Sequence, residues 1–228
     1  MRQQAKQQSL GRTAIYSKLI PYAIMSVATG IALWRGALYA NVAFIVFMAA
    51  WYTIRTWLAD PKPPEVIQER DRSRERLLAS AVGIGMVVIP LVTLTTPILD
   101  FAAYRALPAQ YLFGGISAIA GLFVFYRSHA DLGSFWSAHL ELREGHTLVT
   151  QGIYGQMRHP MYTAIFLITL AQALLLTNWL AGPTGFAFFG LLYAFRVGSE
   201  EQMMADQFGA EWEAYTSRTP RLWPRIRA

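Results

Sequence analysis

Two groups of ionisable and aromatic residues lie at opposite ends of an apolar stretch in the C-terminal half of the chain. The first group contains His159 and Tyr162, and the second contains Arg196, Glu200 and Glu201. A pair of carboxylates can bind an ammonium group, histidine and tyrosine rings can flank a sulfonium, and an arginine can hold an anion. These residue types favour a site for a cationic or amphoteric cofactor and an anionic or lipid-like partner.

The stretch between the two groups has the right length to bring them together. Trp179 lies about midway, so two antiparallel helices with a rise of about 1.5 Å per residue return to the same depth. Clusters of ionisable residues at membrane depth indicate functional sites. We therefore predict that a helical hairpin places His159 close to Glu200 at the cytosolic side. In the simpler alternative, Arg196 and Glu200 share one helix face and form only an exposed ion pair.

The composition places these residues in a membrane protein. Hydrophobic residues make up 54% of the 228 residues and charged residues only 15%, whereas soluble domains carry about 25% charged residues. A membrane span needs about 20 mostly apolar residues, and six segments approach that length. They are 19–34, 37–58, 77–99, 109–126, 161–177 and 179–197. The sequence thus predicts an all-α fold, a multi-pass transmembrane helical bundle of about six spans.

The basic residues predict the orientation of these spans. With the N-terminus in the cytosol, the cytosolic segments hold seventeen of the 20 lysines and arginines, whereas the outer loops hold Arg35 and Arg105. This asymmetry obeys the positive-inside rule. We expect both termini to be cytosolic, in a bacterial inner membrane or an endoplasmic reticulum. The mixed-charge segment 59–76 is interpreted as a solvated connector whose arginines contact lipid headgroups.

Metal ions and nucleic acids are not expected as ligands. The chain contains no cysteine, which excludes disulfides, thiolate metal ligands and a cysteine nucleophile. The four histidines, His129, His139, His146 and His159, follow one another at spacings of 10, 7 and 13 residues, which match no common metal-ligand pattern. Nucleic-acid binding would need a polar domain with a basic patch, and the sequence shows none.

The chain is interpreted as one membrane domain in two parts. Residues 1–126 form a basic N-terminal segment and four spans, and residues 127–228 form a catalytic half with a cofactor loop, a transmembrane hairpin and an amphipathic tail. Gly114, Ala118 and Gly121 put small residues on one side of the fourth helix, which favours close helix packing. The tail 199–217 is predicted to be an interfacial amphipathic helix, broken in two at Gly209.

Several short motifs occur in order along the C-terminal half. Upstream of the hairpin, they comprise His146, Thr147, Leu148, Val149, Gly152, Ile153, Tyr154, Arg158, His159, Pro160, Met161 and Tyr162. Downstream, they comprise Arg196, Glu200, Glu201, Phe208, Gly209, Trp212, Tyr215 and Pro220. Over about residues 120–224, this pattern resembles the isoprenylcysteine carboxyl methyltransferase family of integral membrane enzymes.

The resemblance implies S-adenosylmethionine as cofactor and a helical membrane fold without the Rossmann sheet of soluble methyltransferases. Carried over by position, it assigns a catalytic role to Arg196, which would meet the substrate and support transfer. It assigns cofactor binding to His146, Thr147, Leu148, Val149, Tyr154, His159, Pro160, Met161, Tyr162 and Glu200. A family glutamine upstream of His146 has no clear match in this chain.

The identity of the methyl acceptor is left open by the residues. A carboxylate is already ionised at neutral pH and needs no base, whereas an amine or a thiol must lose a proton. This difference favours a lipid-like or prenylated carboxylate held by Arg196, with a phospholipid amine or a small thiol as alternatives.

Two other function classes are weighed against the methyltransferase. An NADPH-dependent membrane reductase of the sterol reductase type has a similar histidine-proline-x-tyrosine stretch, but this chain has too few spans for that fold. A non-enzymatic membrane scaffold would leave the clustered histidine, arginine and glutamates unexplained.

Overall fold

The computed structural model describes residues 2–36, 39–58, 66–69, 72–133, 141–143 and 147–224, with only the backbone of 2–17, 39, 66–69, 72 and 141–143. The α-helices are α1 (Arg2–Trp34), α2 (Tyr39–Trp57), α3 (Arg72–Gly83), α4 (Ile89–Thr95), α5 (Pro108–Leu132), α6 (Pro160–Leu175), α7 (Ala181–Phe208) and α8 (Ala210–Arg218). A π-helical segment, Ile84–Val88, joins α3 to α4 without a break. Within the described residues, most of each predicted span is therefore helical.

A two-stranded antiparallel ribbon is the one departure from the all-helical prediction within the described ranges. Strand β1 (Val66–Glu69) pairs with β2 (Glu141–Arg143), so that Val66 lies opposite Arg143 and Glu69 opposite Glu141. The ribbon links the segment before α3 to the segment after α5. Residues 66–69 of the segment interpreted as a solvated connector are thus paired with a second segment, while contact of its arginines with lipid headgroups stays a prediction.

The outer surface of the bundle is apolar. On α5, the exposed side chains include Leu112, Ile116, Ile119 and Phe123, which share one face because they are three or four residues apart. Large apolar faces of this kind are unstable in water and stable in hydrocarbon. Two stretches, Ser73–Thr95 and Pro108–Leu132, are long and apolar enough to cross a membrane, and Lys18–Trp34 and Pro160–Leu175 are apolar but shorter. The total of six spans stays a prediction.

Small residues let α5 and α6 pack closely. A Cβ atom added to Gly114 would lie 2.9 Å from a methyl group of Leu175, and one added to Gly121 would lie 3.0 Å from the side chain of Ile168. The Ser117 hydroxyl donates to the Leu167 carbonyl across this contact at 2.8 Å. The predicted packing role of the small-residue face is thus confirmed.

One buried amide locks three helices together inside the bundle. The side chain of Gln172, on α6, donates from Nε2 to the Gly85 carbonyl at 2.8 Å and to the Ala181 carbonyl at 2.7 Å. Gly85 belongs to the π-helical segment, whose altered bonding frees backbone carbonyls for such partners. A Cβ at Gly85 would lie 2.9 Å from the Thr184 carbonyl, so the α3–α4 rod and α7 also touch directly. The three helices that carry the site therefore have a fixed register.

A tight turn reverses the chain between α6 and α7. The Asn178 Oδ1 atom accepts hydrogen bonds from the amides of Leu180 and Ala181, both at 3.0 Å, and so caps the start of α7. Its Nδ2 donates to the Leu99 carbonyl at 2.7 Å. This turn makes the two helices antiparallel, as the hairpin prediction requires.

The end of the fold differs in part from the predicted tail. Helix α7 continues to Phe208, well past the predicted span end at 197. At Gly209 the backbone has φ +49°, and α8 begins at the next residue, so the predicted break is confirmed. Trp212 and Tyr215 on α8 are buried against the protein, while the interfacial position of this helix stays a prediction.

Candidate active site

His159 stands at the junction of the hairpin, directly before the first residue of α6. Its side chain is 5% exposed, its Nδ1 lies 3.5 Å from the Glu200 Oε1, and its Nε2 lies 3.1 Å from the Glu201 Oε1. Both carboxylates project from α7 near its C-terminal end. The predicted juxtaposition of His159 and Glu200 is therefore confirmed.

Tyr162 lies one turn further into α6 and completes the contact with Glu200. Its hydroxyl donates to the Glu200 Oε2 at 2.5 Å. The ring packs against Phe189 and Tyr193 of α7, with centroid separations of 6.0 and 5.2 Å. Aromatic packing thus fixes the ring and aims the hydroxyl at the carboxylate.

Arg196 is bound from two helices. Its Nε lies 3.5 Å from the Glu200 Oε2 within α7, and its Nη1 lies 2.7 Å from the Glu75 Oε1 of α3. The side chain of Glu75 is only 6% exposed. The alternative of an exposed Arg196–Glu200 pair is therefore wrong, because the two side chains are only 15% and 22% exposed and Arg196 also contacts Glu75. Sequence reasoning missed Glu75, although it is the last acidic residue before an uncharged run.

Glu201 anchors a second network at the same end. The Arg158 Nη2 lies 2.8 Å from the Glu201 Oε1, and the Arg221 Nε donates to the same atom at 3.0 Å. The Arg158 side chain is 12% exposed and donates from Nη1 to the Thr219 carbonyl at 2.6 Å. Arg158 thus ties α7 to the chain beyond α8.

That chain end runs along the start of α6, and we call residues 219–222 the C-terminal strap. The amides of Arg158 and His159 donate to the carbonyls of Pro220 and Arg221 at 2.8 and 2.9 Å. The Thr163 hydroxyl donates to the Leu222 carbonyl at 2.6 Å. The strap therefore lies along the start of α6, and it also reaches Glu201 of α7 through Arg221.

Tyr154 lies in a short 3-10 turn, Gly152–Gly155, before α6. Gly152 has φ +59°, and a Cβ there would overlap the carboxylate of Asp131 from α5. The same carboxylate accepts a hydrogen bond from the Ile153 amide at 2.8 Å, while the Tyr154 carbonyl accepts one from the Tyr215 hydroxyl at 2.6 Å. The turn is therefore held by α5 on one side and α8 on the other.

The remaining predicted cofactor residues are less closely gathered. Thr147 is exposed, and Leu148 and Val149 are half-buried in an irregular segment, with Val149 packed against the cluster of Ile153, Tyr154 and Met157. His146 and His139 lie outside the described residues. Pro160 is buried as the first residue of α6, and Met161 packs against the main apolar core. Cofactor contacts of these residues stay predictions.

The network keeps its acids ionised. Burial alone would raise the pKa of Glu200, but the bond to His159, the charges of His159 and Arg196 and the Tyr162 hydrogen bond outweigh it and lower that pKa to about 2. The pKa of Glu201 is also lowered, because bonds to His159, Arg221 and Arg158 outweigh its burial. Burial would lower the pKa of His159, yet its two carboxylate partners raise it above the ordinary value. The site therefore presents fixed negative charges near neutral pH.

Residues 106–206 match the model of the isoprenylcysteine carboxyl methyltransferase family. The match begins earlier than the motif-based limit of 120 and includes the whole hairpin with both carboxylates. The downstream motifs from Phe208 to Pro220 follow the matched segment. The resemblance inferred from the motifs is confirmed for residues 106–206.

Curated relatives match part of the chain. The cobalt-zinc-cadmium resistance protein CzcN of Cupriavidus metallidurans is 35% identical over 101 residues, which cover 43% of this chain and 46% of that protein. The protein-S-isoprenylcysteine O-methyltransferases of Schizosaccharomyces pombe and Homo sapiens are 32% and 31% identical, covering 36% and 38% of this chain and 34% and 31% of theirs. The match thus spans less than half the length of these relatives.

The fold has a counterpart among solved structures. The structure of a eukaryotic intramembrane Ras methyltransferase, isoprenylcysteine carboxyl methyltransferase, aligns with a TM-score of 0.57 at 19% identity. The alignment covers 91% of this chain and 76% of the other chain. The shared fold therefore extends beyond the segment in which the sequences match.

Proposed function

Because residues 106–206 match this family of membrane enzymes, we propose that the chain is an integral membrane methyltransferase using S-adenosylmethionine. The acceptor is a lipid-like molecule, most favourably one with a carboxylate. The observation that carries the proposal is the buried contact of His159 and Tyr162 with Glu200, next to Arg196. It brings residues from the start of α6 and from α7, all within the matched segment, into one polar site among apolar helices.

The donor set fits S-adenosylmethionine. The cofactor carries an ammonium, a sulfonium and a carboxylate, and it supplies the methyl group when bound. Glu200 is ionised and partly buried, which suits a cationic group. Tyr162 contacts Glu200 and packs against Tyr193, and aromatic rings can attract a cation through their faces. Glu200, Tyr162 and the turn at Tyr154 would hold the cofactor.

Arg196 would act on the acceptor. A guanidinium held in one plane by fixed carboxylates can offer hydrogen bonds in set directions. An acceptor carboxylate needs no base, so the protein has only to hold and orient it and to exclude water. Next to Arg196 on α7, Phe195 and Leu191 are exposed on the apolar outer surface. A lipid-like acceptor can therefore approach from the bilayer with its polar end toward Arg196.

Cofactor binding is the direct test. S-adenosylhomocysteine and NADPH are titrated by calorimetry into the detergent-purified chain, its Glu200→Ala variant and a Glu211→Ala control, in which an exposed acid on α8 is removed. We expect S-adenosylhomocysteine to bind the wild type and the control and to lose most of its affinity for Glu200→Ala. Selective binding of NADPH would replace the proposal with a reductase, and binding of neither would leave a scaffold.

The acceptor class is tested with radiolabelled S-adenosylmethionine. A farnesylated cysteine with a free carboxylate is compared with its amide, with phosphatidylethanolamine vesicles and with a small hydrophobic thiol. We expect transfer to the carboxylate. The amine and the thiol are the second candidates, because one relative that matches 43% of the chain is a bacterial metal-resistance protein and not a prenylcysteine enzyme by name. Transfer only to these would reassign the acceptor while retaining the cofactor.

A further inference from the structure

Glu75 is a buried acid at the start of α3, outside the segment that matches the methyltransferase family. Its neighbours Arg74, Arg76 and Leu77 are exposed, whereas Glu75 points inward and lies 2.7 Å from the Arg196 Nη1. Removing a carboxylate from water costs several kcal/mol unless a partner compensates it. The Glu75–Arg196 pair is therefore a specific inter-helix contact and differs from the solvated surface around it.

Glu75 gives Arg196 an anchor that α7 cannot provide. Glu200 lies four residues further along α7, so it moves together with Arg196 whenever that helix shifts or rotates. Glu75 belongs to another helix and fixes the opposite edge of the guanidinium. The Arg196 guanidinium is planar. Because Glu75 on α3 contacts its Nη1 and Glu200 on α7 lies near its Nε, the guanidinium has one preferred plane. Glu75 thus selects the direction in which Arg196 faces the site.

The packing of α3 against its neighbouring helices holds Glu75 in place. Gly85 lies ten residues after Glu75, and the Gln172 amide bonds its carbonyl at 2.8 Å. Ten helical residues span about 15 Å, so the register fixed at Gly85 is transmitted along a rigid rod to Glu75. The Arg74 guanidinium lies 4.4 Å from the centroid of the Phe195 ring and adds a second contact between α3 and α7. The position of Glu75 relative to Arg196 is therefore built into the packing.

We propose that Glu75 is a positioning residue for methyl transfer, which holds the Arg196 guanidinium in the orientation that receives the acceptor. This inference rests on the proposed function above. Glu75 acts through Arg196, whereas the cofactor-side contacts of Glu200 with His159 and Tyr162 do not depend on it. Loss of Glu75 should therefore impair acceptor use and turnover and spare cofactor affinity.

The test compares Glu75→Gln, Glu75→Asp and a matched Glu211→Gln control in the full chain. For each variant, kcat, acceptor KM, S-adenosylhomocysteine Kd and Tm are measured. Misplacing a catalytic contact by about 1 Å can cost about 100-fold in rate. We expect Glu75→Gln to lose about 10- to 100-fold in kcat/KM for the acceptor, Glu75→Asp to lie between it and the wild type, and both to bind S-adenosylhomocysteine normally.

Each outcome has a separate meaning. Glu75 variants with wild-type kcat and KM overturn the inference, and so does a parallel loss of S-adenosylhomocysteine affinity and Tm, because that pattern indicates a structural role only. If Glu75→Gln does not fold, Glu75→Asp decides: reduced kcat with normal cofactor affinity supports positioning, and wild-type kinetics refute it. A wild-type chain that neither binds S-adenosylhomocysteine nor transfers methyl groups refutes the proposed function itself.

Discussion

Gly152 is the residue at which one added methyl group should disturb the site most. Its φ of +59° costs another residue about 1–3 kcal/mol. The new Cβ also overlaps the Asp131 carboxylate, which must leave the Ile153 amide. Loss of a hydrogen bond to a charged group costs about 1.5–3 kcal/mol. We therefore expect Gly152→Ala to destabilise the turn by about 3–6 kcal/mol.

Gly133, at the end of α5, is a control for the backbone part of this cost. It has the same φ of +59°, but a Cβ there meets no described atom within 4 Å. Gly133→Ala should therefore cost only the backbone strain, about 1–3 kcal/mol. The difference between the two variants measures the overlap with Asp131.

The assay is thermal unfolding of the detergent-purified chain, followed by intrinsic fluorescence, with calorimetry of S-adenosylhomocysteine binding. A chain of this size loses about 2–4 °C in Tm per kcal/mol, so Gly152→Ala should lose about 6–24 °C and Gly133→Ala about 2–12 °C. In a chain that already carries Asp131→Ala, the Gly152→Ala substitution should lower Tm by no more than Gly133→Ala lowers it in the wild type. Equal Tm losses for the two single variants would refute the reasoning.

Three further outcomes are expected. Arg196→Ala should abolish turnover and leave the S-adenosylhomocysteine Kd within about twofold, since the proposed function assigns Arg196 to the acceptor and cofactor binding to Glu200 and Tyr162; an active variant would remove Arg196 from the mechanism. The folded pKa of Glu200, about 2, lies below its ordinary unfolded value of about 4.3. Glu200 therefore contributes about 3 kcal/mol of stability that is present above about pH 4.5 and lost as the pH falls toward 2; Glu200→Gln should flatten Tm against pH in this window, and an unchanged profile would contradict the shift. Because the chain lacks cysteine, single cysteines report topology directly: Arg105→Cys should react with an impermeant maleimide from outside and Glu213→Cys only after permeabilisation, and the reverse pattern would invert the predicted orientation.

Contacts between consecutive elements could be predicted from the sequence. The meeting of His159 with Glu200 follows from helical rise and a central turn, and it requires no knowledge of other helices. The packing face at Gly114 and Gly121 and the break at Gly209 also follow from local residue types. In each case, the information lies within one or two neighbouring helices.

Contacts between distant segments could not be predicted in this way. Glu75 belongs to a stretch rich in both charges, and only the approach of α7 makes it a buried partner of Arg196. The ribbon joins strands of four and three residues that are far apart in sequence, too short for a clear alternating pattern. The strap binds α6 through backbone groups, which carry no residue-type signal. The Glu75–Arg196 pair, the ribbon and the strap all depend on where the fold places distant segments, and not on local residue types.

The strap has a consequence for how the protein matures. Translation produces α6 and α7 before residues 219–222, so the hairpin can enter the bilayer while Glu201 still lacks its bond to Arg221 and the amides of Arg158 and His159 still lack the strap carbonyls. Membrane insertion and completion of the site are therefore separate events in the life of each molecule. In a newly inserted copy, the hydrogen bonds around Glu201 and the start of α6 are complete only once this late segment has docked.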